Sequence, residues 1–516
     1  MTGRRPGLRL FCGFFALYAL TSSGNPFRVP DEFEVYFQAA NLVDAGNLSV
    51  PQTLAITQEG QPIFFGKFGA DGKPYAPYGP GVAFLVVPFH LAGRAVARLA
   101  GVPRLPLPSG IAWEVLVGGL TTLATAFAAA LAVAGFHRAC LALGAARHRA
   151  VQLSVVLGGA TLLWAYGTTL YSEAWLAAAF AWAAALLLDA RSRDRGTGVR
   201  VASAALLLAV AILTKPTAVV IAPAFVIAAL ADSVAGGRTR LRVAIVLAAG
   251  CALGVAGHLG WNLYRFGQPL DFGYNLAAMI PEPPARSFTV EEVPRGLFVL
   301  LLTPGKSLFV WAPAALLGLL ALPVCWRRER ALAAGLAVAL PSALVFYASY
   351  LFPEGGYAHG PRHLVPLVPL LLLPLAVPAV PWRRRELLAC AAIGCGMAVM
   401  ASAVSFFEDQ SAPGASAQIM TGPYYERVEP PPGRPSNRYR IDYIPFKFAL
   451  TSGHWSSPDR PSGNGPDLFA LHLGRARATL PGGASIPPWM PWAVSLPWII
   501  LLAWSALTLR PLMRGE

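Results

Sequence analysis

Residues 110–136 read GIAWEVLVGGLTTLATAFAAALAVAGF, a stretch in which Glu114 is the single charged residue. About 20 apolar residues in a helix suffice to cross the hydrocarbon core of a bilayer. Further apolar runs occur at about 8–25, 150–170, 172–190, 201–214, 216–232, 243–263, 307–324, 331–351, 362–380, 386–406 and 488–509. The sequence therefore predicts an all-α polytopic membrane protein with about 12 transmembrane helices. We expect the run 8–25 to be an uncleaved first span.

The overall composition supports this class. The 516 residues are 55% hydrophobic and 13% charged, whereas soluble domains carry about 25% charged residues. The 41 basic residues exceed the 26 acidic ones, which gives a net charge of +15. In a membrane protein such an excess reflects the basic residues of cytoplasmic loops. No basic patch alternates with exposed aromatic residues, so we expect membrane lipids and no nucleic acid as partners.

Basic clusters between the apolar runs predict the topology. They are Arg138/Arg147/Arg149, Arg191/Arg193/Arg195/Arg200, Arg238/Arg240/Arg242, Arg327/Arg328/Arg330, Arg383/Arg384/Arg385 and Arg510/Arg514. With a cytoplasmic N-terminus and twelve spans, every cluster lies on the cytoplasmic side, as the positive-inside rule requires. We therefore predict both termini in the cytoplasm, in the cytoplasmic (inner) membrane, with segments 26–109 and 407–486 outside. The predicted parts are a transmembrane module at 1–406, an irregular outer domain at 407–486, and a last span with a cytoplasmic tail at 487–516.

The apolar run 80–99 is left out of the predicted spans, because counting it would move every later basic cluster outside. His90, Arg94 and Arg98 recur every four residues and form a polar stripe on one face of a helix. An amphipathic helix of this kind lies in the membrane interface. We therefore predict an interfacial helix at 80–99.

Charged residues of the predicted spans lie at the outer ends of those spans. They are Glu114, Glu173, Lys215, Lys306 and Arg362. An ionisable side chain at the bilayer centre costs about 2.5–3.5 kcal/mol on insertion scales, so those retained usually have a function. An enzyme that acts on a lipid head group at the outer leaflet would place charges here. A transporter of lipid-linked sugars would instead need charged, Gly-broken or Pro-broken segments near the midplane, and the sequence does not indicate them.

Three carboxylates follow the first apolar run within NPFRVPDEFE, residues 25–34. A helix that starts at Pro30 would place Asp31 in its first turn, where helix-end amides favour the ionised form. Asp31 and Glu34 would then share one helical face. Glycosyl transfer to a hydroxyl needs a carboxylate base, and the donor phosphate needs cations. The alternative is a juxtamembrane helix with solvated acidic residues at its start.

An acidic pair directly after the first span resembles the first-loop signature of the GT-C glycosyltransferase superfamily. The chain is most similar to its protein O-mannosyltransferase and aminoarabinose–lipid A transferase branch. Four further segments carry the resemblance in the family's order: GKPYAPYGPG at 72–81, YSE at 171–173, LTKPT at 213–217 and GPRHLVP at 360–366. NLYRFG at 262–267 and TPGK at 303–306 also look like segments of bacterial members. His363 departs from the usual Tyr, and 407–486 matches no known part of the family.

The resemblance implies a GT-C-like helical bundle with juxtamembrane helices at the outer face. It also implies an inverting hexosyl- or pentosyltransferase that uses a polyprenyl-phosphate-linked sugar donor. Asp31 would be the general base, with Glu32 as the next candidate. The donor phosphate and head group would be bound by Lys73, Lys215, Arg362, His363 and Lys306. Acceptor or sugar contacts would come from Glu34, Tyr78, Glu173 and His359.

The resemblance favours catalysis without a cofactor. A divalent metal held by converging Asp31, Glu32, Glu34 and Glu173 is the alternative. The acceptor, whether lipid, glycan or protein, is left open by the sequence.

A polysaccharide polymerase or ligase with a polyprenyl-linked donor is a second enzymatic alternative. Such an enzyme would carry its catalytic Arg and His residues in a late outer loop. Residues of this kind are present there, namely Arg427, Arg434, Arg438, Arg440 and His454.

Overall fold

Helices make up most of the chain in the computed structural model, which confirms the predicted all-α class. The residues described are 6–55, 57–58, 61–62, 66–106, 109–192, 196–232, 236–274, 287–350, 352–353, 355–356, 358–405, 446, 449–450, 453, 455, 466–480 and 482–514. The α-helices are α1 (Pro6–Thr21), α2 (Pro30–Ala45), α3 (Pro80–Leu99), α4 (Ile111–Thr121), α5 (Leu123–Ala142), α6 (Arg147–Gly159), α7 (Leu162–Tyr166), α8 (Glu173–Ser192), α9 (Thr197–Thr214), α10 (Pro223–Leu230), α11 (Gly237–Phe266), α12 (Val293–Leu302), α13 (Leu308–Trp311), α14 (Ala314–Leu320), α15 (Leu322–Arg328), α16 (Arg330–Ala348), α17 (Val368–Leu372), α18 (Arg384–Ala403), α19 (Phe469–Thr479), α20 (Met490–Ala493) and α21 (Leu496–Arg514).

Short elements complete this part of the chain. Six 3₁₀ helices are assigned within the described residues: Pro51–Ala55, Pro216–Val220, Val290–Glu292, Arg362–Leu367, Leu373–Ala376 and Gly483–Ser485. Two-residue strands form two antiparallel pairs in the first loop, β1 (Thr57–Gln58) with β2 (Gln61–Pro62) and β3 (Lys67–Phe68) with β4 (Pro74–Tyr75).

Eight helices within the described residues are long and apolar enough to cross a membrane. They are Pro80–Leu99, Ile111–Ala142, Glu173–Arg191, Thr197–Thr214, Gly237–Phe266, Arg330–Ala348, Arg384–Ala403 and Met490–Met513. Three shorter apolar helices, Pro6–Thr21, Pro216–Leu230 and Arg362–Ala376, coincide with further predicted spans. The chain is therefore a multi-pass membrane protein. Its orientation and the identity of the membrane stay predictions.

Some predicted spans are broken helices, contrary to the sequence-based expectation. The run 150–170 divides into α6 and α7, and the run 307–324 into α13, α14 and the start of α15. In the run 362–380, 3₁₀ turns alternate with the five-residue α17. Prolines such as Pro313 and Pro366 account for breaks of this kind, because proline lacks the amide hydrogen and clashes with the preceding turn.

The central bundle is built on the parallel pair α5 and α8. Near the start of α8, the Trp175 ring lies 6.4 Å from Phe127; near its end, Asp189 accepts a hydrogen bond from Arg138 at 2.6 Å. Helix α9 follows α8 and packs beside it. The first turn of α8 and the last turn of α9 therefore share one end of the bundle.

Helix α3 begins at that same end of the bundle. A Cβ atom on Gly79 would lie 2.1 Å from the Leu213 carbonyl oxygen at the end of α9, so only glycine allows this approach. Further along, α3 packs on α4 and α2.

The polar stripe of α3 is mostly turned toward protein. His90 and Arg94 are buried while Arg98 is exposed. The apolar Phe84 and Leu91 on the same helix are 58% and 47% exposed. The amphipathic pattern was thus a poor guide to the exposed face. Because α3 has the length and composition of a span, its interfacial position stays a prediction.

Most of the predicted outer domain 407–486 lies outside the described residues, but its end packs into the first part of the chain. Phe469 at the start of α19 contacts Gly24 and Gly119, where added Cβ atoms would lie 2.1 and 1.9 Å from the ring. The Phe469 amide donates to the Ser22 carbonyl oxygen at 2.8 Å. The end of this segment is therefore part of the same hydrophobic core as α2 and α4.

Candidate active site

Asp31 lies in the first turn of α2, which starts at Pro30 as predicted. Val29 has extended backbone angles and proline occupies the first helical position, where its missing amide hydrogen costs nothing. The Asp31 side chain is 23% exposed, and its Oδ1 accepts a hydrogen bond from Arg362 Nη2 at 2.9 Å. The chain thus brings its predicted base against a predicted phosphate-binding arginine.

Glu173 binds both predicted cations at the end of the bundle. Its Oε1 accepts from Arg362 Nε at 3.1 Å and from Lys215 Nζ at 2.6 Å. The Glu173 side chain is only 1% exposed, so this carboxylate is fixed between its partners. Burial lowers the pKa of Lys215, and the neighbouring charge of Glu173 partly offsets this effect. Glu173 therefore sets the spacing of the two cations.

A small cavity lies between these charged groups and three tyrosines. Asp31, Lys215 and Arg362 line it together with Tyr78, Tyr171 and Tyr274. The Arg362 guanidinium also lies 4.4 Å from the centre of the Tyr171 ring. The cavity volume is about 30 Å³, which is close to the share of one water molecule in the liquid.

The three tyrosines of the cavity are neutral hydrogen-bonding groups. Burial first, and then the charge of Asp31, raises the pKa of Tyr78, Tyr171 and Tyr274 above the ordinary value. Each phenol therefore keeps its proton at neutral pH and can donate a hydrogen bond to a ligand oxygen. Tyr171 and Tyr274 were not predicted as site residues.

His363 lies beside Lys215 at the rim of the site. Its Nδ1 is 3.4 Å from Lys215 Nζ, and its ring stacks on Tyr347 with 4.6 Å between ring centres. The Tyr347 hydroxyl in turn contacts the Thr217 hydroxyl at 2.9 Å. His363 is therefore a second neighbour of the Lys215 ammonium group, besides Glu173.

Glu32, predicted as the second candidate base, is fully buried. Its two oxygens accept from Arg28 at 2.9 and 2.6 Å, and one also accepts from the Leu170 amide at 2.8 Å. Arg28 contacts Asp467 as well, at 3.3 Å, and Asp467 pairs with His472 at 2.7 Å. These contacts argue against Glu32 as a base, and they make it a positioning residue for the turn that carries Tyr171.

Glu34 lies one helical turn after Asp31 and is completely buried. Within the described part of the chain, neither of its oxygens has a hydrogen-bond partner, and the same holds for the amide of Gln38. Burial, with a smaller effect from Asp31, raises the pKa of Glu34 well above its ordinary value. Burial therefore favours the neutral form of the Glu34 carboxyl group, and Glu34 does not line the cavity.

The remaining predicted site residues lie outside the cavity. Lys73 is exposed at the turn before β4, where it pairs with Asp71 at 3.4 Å. Lys306 is buried and donates to the carbonyl oxygens of Gly356 and Ala358 at 3.2 and 2.6 Å. These contacts support the loop before Arg362.

His359 is also buried away from the cavity. Its Nε2 lies 3.2 Å from the Val404 carbonyl oxygen, and its ring packs near Trp311 and Phe446. Burial lowers the pKa of His359 to about 3, so it is neutral at physiological pH. Its contacts indicate a structural role.

Arg265, in the predicted segment 262–267, holds the loop that carries Tyr78. Its guanidinium donates to the carbonyl oxygens of Ala76 and Tyr78 and, at 2.8 Å, to Asn262 Oδ1. Sequence reasoning noted the segment but assigned it no function. Arg28, which lies just before α2 and binds Glu32, was also missed.

The four acidic residues considered for a metal do not converge. Glu32 is bound by Arg28, Glu173 is bound by Lys215 and Arg362, and the oxygens of Glu34 have no hydrogen-bond partner within the described residues. Among the described residues, no group of three or more His, Cys, Asp or Glu side chains could hold a metal ion. The late-loop residues Arg427, Arg434, Arg438, Arg440 and His454 lie outside the described residues.

No protein-family model and no curated protein match the sequence. Among solved structures, the chain is similar to ArnT from Cupriavidus metallidurans, whose crystal structure is bound to undecaprenyl phosphate. The alignment covers 98% of this chain and 77% of that chain, with 16% identity and a TM-score of 0.43. Similarity at this level assigns neither a family nor an activity to the present chain.

Proposed function

We propose that this protein is an inverting glycosyltransferase that moves a sugar from a polyprenyl-phosphate-linked donor to an acceptor hydroxyl at the outer face of the cytoplasmic membrane. The observation that supports it most is the Arg362 bridge between Asp31 and Glu173, with Lys215 beside it. A carboxylate base, two cations and three neutral phenols then line one cavity. The motif resemblance described above supplies the donor class.

Asp31 is the general base in this proposal. It takes the proton of the acceptor hydroxyl while the hydroxyl oxygen forms a bond to the anomeric carbon. The bond between that carbon and the phosphate oxygen breaks in the same displacement, so the configuration inverts. The products are the glycoside and polyprenyl phosphate, and Asp31 then returns its proton to water.

Arg362 and Lys215 stabilise the phosphate as negative charge develops on the leaving oxygen. Preorganised donors of this kind contribute about 10²–10³-fold each to a rate. The planar guanidinium of Arg362 can bind two phosphate oxygens at once. When it turns from Asp31 to the donor phosphate, Asp31 Oδ1 becomes free to accept the hydroxyl proton. Donor binding would thereby prepare the base.

The test is sugar transfer from a polyprenyl-phosphate sugar pool in membranes that carry wild type or Asp31→Asn. We expect the variant to lose transfer and to retain donor binding, because Asn cannot accept the proton but keeps the size of Asp. Arg98→Ala is a matched control for membrane insertion, since Arg98 is exposed on α3. Normal transfer by Asp31→Asn would overturn the mechanism and favour an enzyme with its catalytic residues in the late outer loop.

A further inference from the structure

A second, larger cavity lies on the opposite face of α2. Its volume is about 410 Å³, within the range of small-molecule pockets. Successive residues of a helix are turned by about 100°, so Asp31 faces one side of α2 while Tyr36, Ala40 and Asp44 face the other. Helix α2 thus separates this α2–α4 cavity, bounded by α2, α3 and α4, from the candidate active site.

Aromatic and amide side chains form the inner wall of the α2–α4 cavity. Tyr36 donates a hydrogen bond to Glu114, and Trp113 lies next to Glu114 along the wall. Asn41 and Gln52 form a reciprocal pair, with each amide nitrogen 2.9 Å from the other oxygen. Because an amide nitrogen carries two hydrogens, Gln52 has a second donor besides the one in this pair.

The mouth of the cavity carries one carboxylate and two guanidinium groups. Asp44 accepts hydrogen bonds from both Arg94 and Arg104. Burial would raise the pKa of Asp44, but these arginines outweigh it and hold the pKa below the ordinary value. The carboxylate is therefore ionised, and it occupies guanidinium groups that could otherwise bind a phosphate.

We infer that the α2–α4 cavity is a carbohydrate-binding site for a neutral sugar unit, separate from the cavity at Asp31. Sugar rings present apolar faces and many hydroxyls that both donate and accept. The planar amide pair and the fixed carboxylate–arginine groups provide partners for the hydroxyls, and the buried Tyr36 and Trp113 lie behind them in the cavity wall. A lipid tail would leave the charged mouth without a function, and a free phosphate would compete with Asp44 for both arginines.

The α2–α4 cavity is close to the candidate active site but separate from it. The diameter of a helix is about 10 Å, so a bound sugar would lie roughly that far from the Asp31 cavity. If the proposed transfer is correct, this distance suits a sugar that belongs to a glycan acceptor or product. The binding itself does not depend on the proposed function.

Sugar binding to the full-length protein tests the inference directly. The protein is purified in a detergent without a sugar head group, and saturation-transfer NMR is recorded with glucose, mannose, galactose, arabinose and maltose at about 10 mM, which detects weak sites. Gln52→Ala and Arg104→Ala alter the cavity wall and mouth, while Asp31→Asn alters only the other cavity. A thermal melt of each variant confirms that it is folded.

We expect at least one of these sugars to bind wild type and Asp31→Asn equally, and at least tenfold more weakly to the two cavity variants. Absence of binding by all five sugars would overturn the inference. Binding that persists in the cavity variants but disappears in Asp31→Asn would overturn it as well, since the sugar would then occupy the candidate active site. Inorganic phosphate that displaces the sugar would identify an anion site instead.

Discussion

Asp31 and Arg362 are 331 positions apart in the sequence and are joined by a hydrogen bond of 2.9 Å. The same guanidinium donates to Glu173 through its Nε atom. One arginine therefore orients the proposed base and the carboxylate that holds the second cation.

Replacing Arg362 with lysine keeps the positive charge but removes the planar guanidinium group, which donates through two different nitrogen atoms. We expect kcat for sugar transfer to fall by about 10²–10³-fold, because lysine cannot reach Asp31, Glu173 and a phosphate with fixed geometry. The kcat of the Arg362→Ala variant should fall by at least the same factor. Initial rates at several donor concentrations measure the effect, and a lysine variant at the wild-type rate would mean that charge alone suffices.

Lys73 and Lys215 provide a matched pair, since both are suggested by the motif resemblance to bind the phosphate. The structure places Lys215 in the cavity and Lys73 at an exposed turn beside Asp71. We expect Lys215→Ala to reduce transfer by about 10²-fold or more and Lys73→Ala to leave it nearly unchanged. A larger loss in Lys73→Ala than in Lys215→Ala would contradict the geometry of the site.

Several of the residues that line the candidate cavity were named from the sequence, whereas the residues that support them were not. Lys215 and Arg362 stand out because a charge at the end of an apolar run is costly, and Asp31 stands out because three carboxylates follow the first apolar run. No feature of the neighbouring sequence distinguishes Glu32 from Asp31 as the candidate base. Only the fold shows that Glu32 points to Arg28 while its neighbour faces the cavity.

Long-range partners were beyond the reach of sequence patterns. Asp467 lies 439 positions from Arg28, and no spacing rule connects residues that far apart. The helix breaks at 150–170 and 307–324 were also missed, because an apolar run predicts burial better than it predicts a continuous helix.

Glu32→Gln should destabilise the fold rather than affect chemistry alone. The side chains of Arg28 and Glu32 are 5% and 0% exposed, and removing one partner of a buried ion pair costs about 3–5 kcal/mol. Asp467→Asn should reduce the stability of the fold by less, because Arg28 still has its ion pair with Glu32 in that variant. Thermal unfolding in detergent measures both, and equal stabilities of the two variants would contradict this ranking.

Glu34→Gln should change the pH dependence of stability. The folded state raises the pKa of Glu34, so the folded chain holds one more proton than the unfolded chain above the ordinary pKa of about 4.3. Wild-type stability should therefore fall as pH rises from that value to the folded pKa, by up to about 1.4 kcal/mol per pH unit.

The glutamine variant lacks this proton, so its stability relative to wild type should increase with pH across the same window. Unfolding in denaturant at pH 5, 6, 7 and 8 checks the sign. A constant difference between the two proteins would mean that Glu34 is not protonated in the fold.

Gly119→Ala tests the packing of the late segment on α4. Its new Cβ would lie 1.9 Å from the Phe469 ring, and overpacking of this kind costs about 1–3 kcal/mol. Adding Phe469→Ala should remove the clash, so the double variant should be more stable than the two single costs predict. Strict additivity in the unfolding free energies would mean that the two residues are not in contact.

The contact between Arg28 and Asp467 also has a consequence for biosynthesis. A ribosome that has delivered Arg28, Asp31 and Glu32 to the membrane must add more than 400 further residues before the second carboxylate of Arg28 emerges. Phe469, which fills the space beside Gly24 and Gly119, arrives at the same late moment. The end of the bundle that carries the candidate site therefore completes its packing only after these late residues emerge, and nascent chains released earlier should be incompletely folded and prone to degradation.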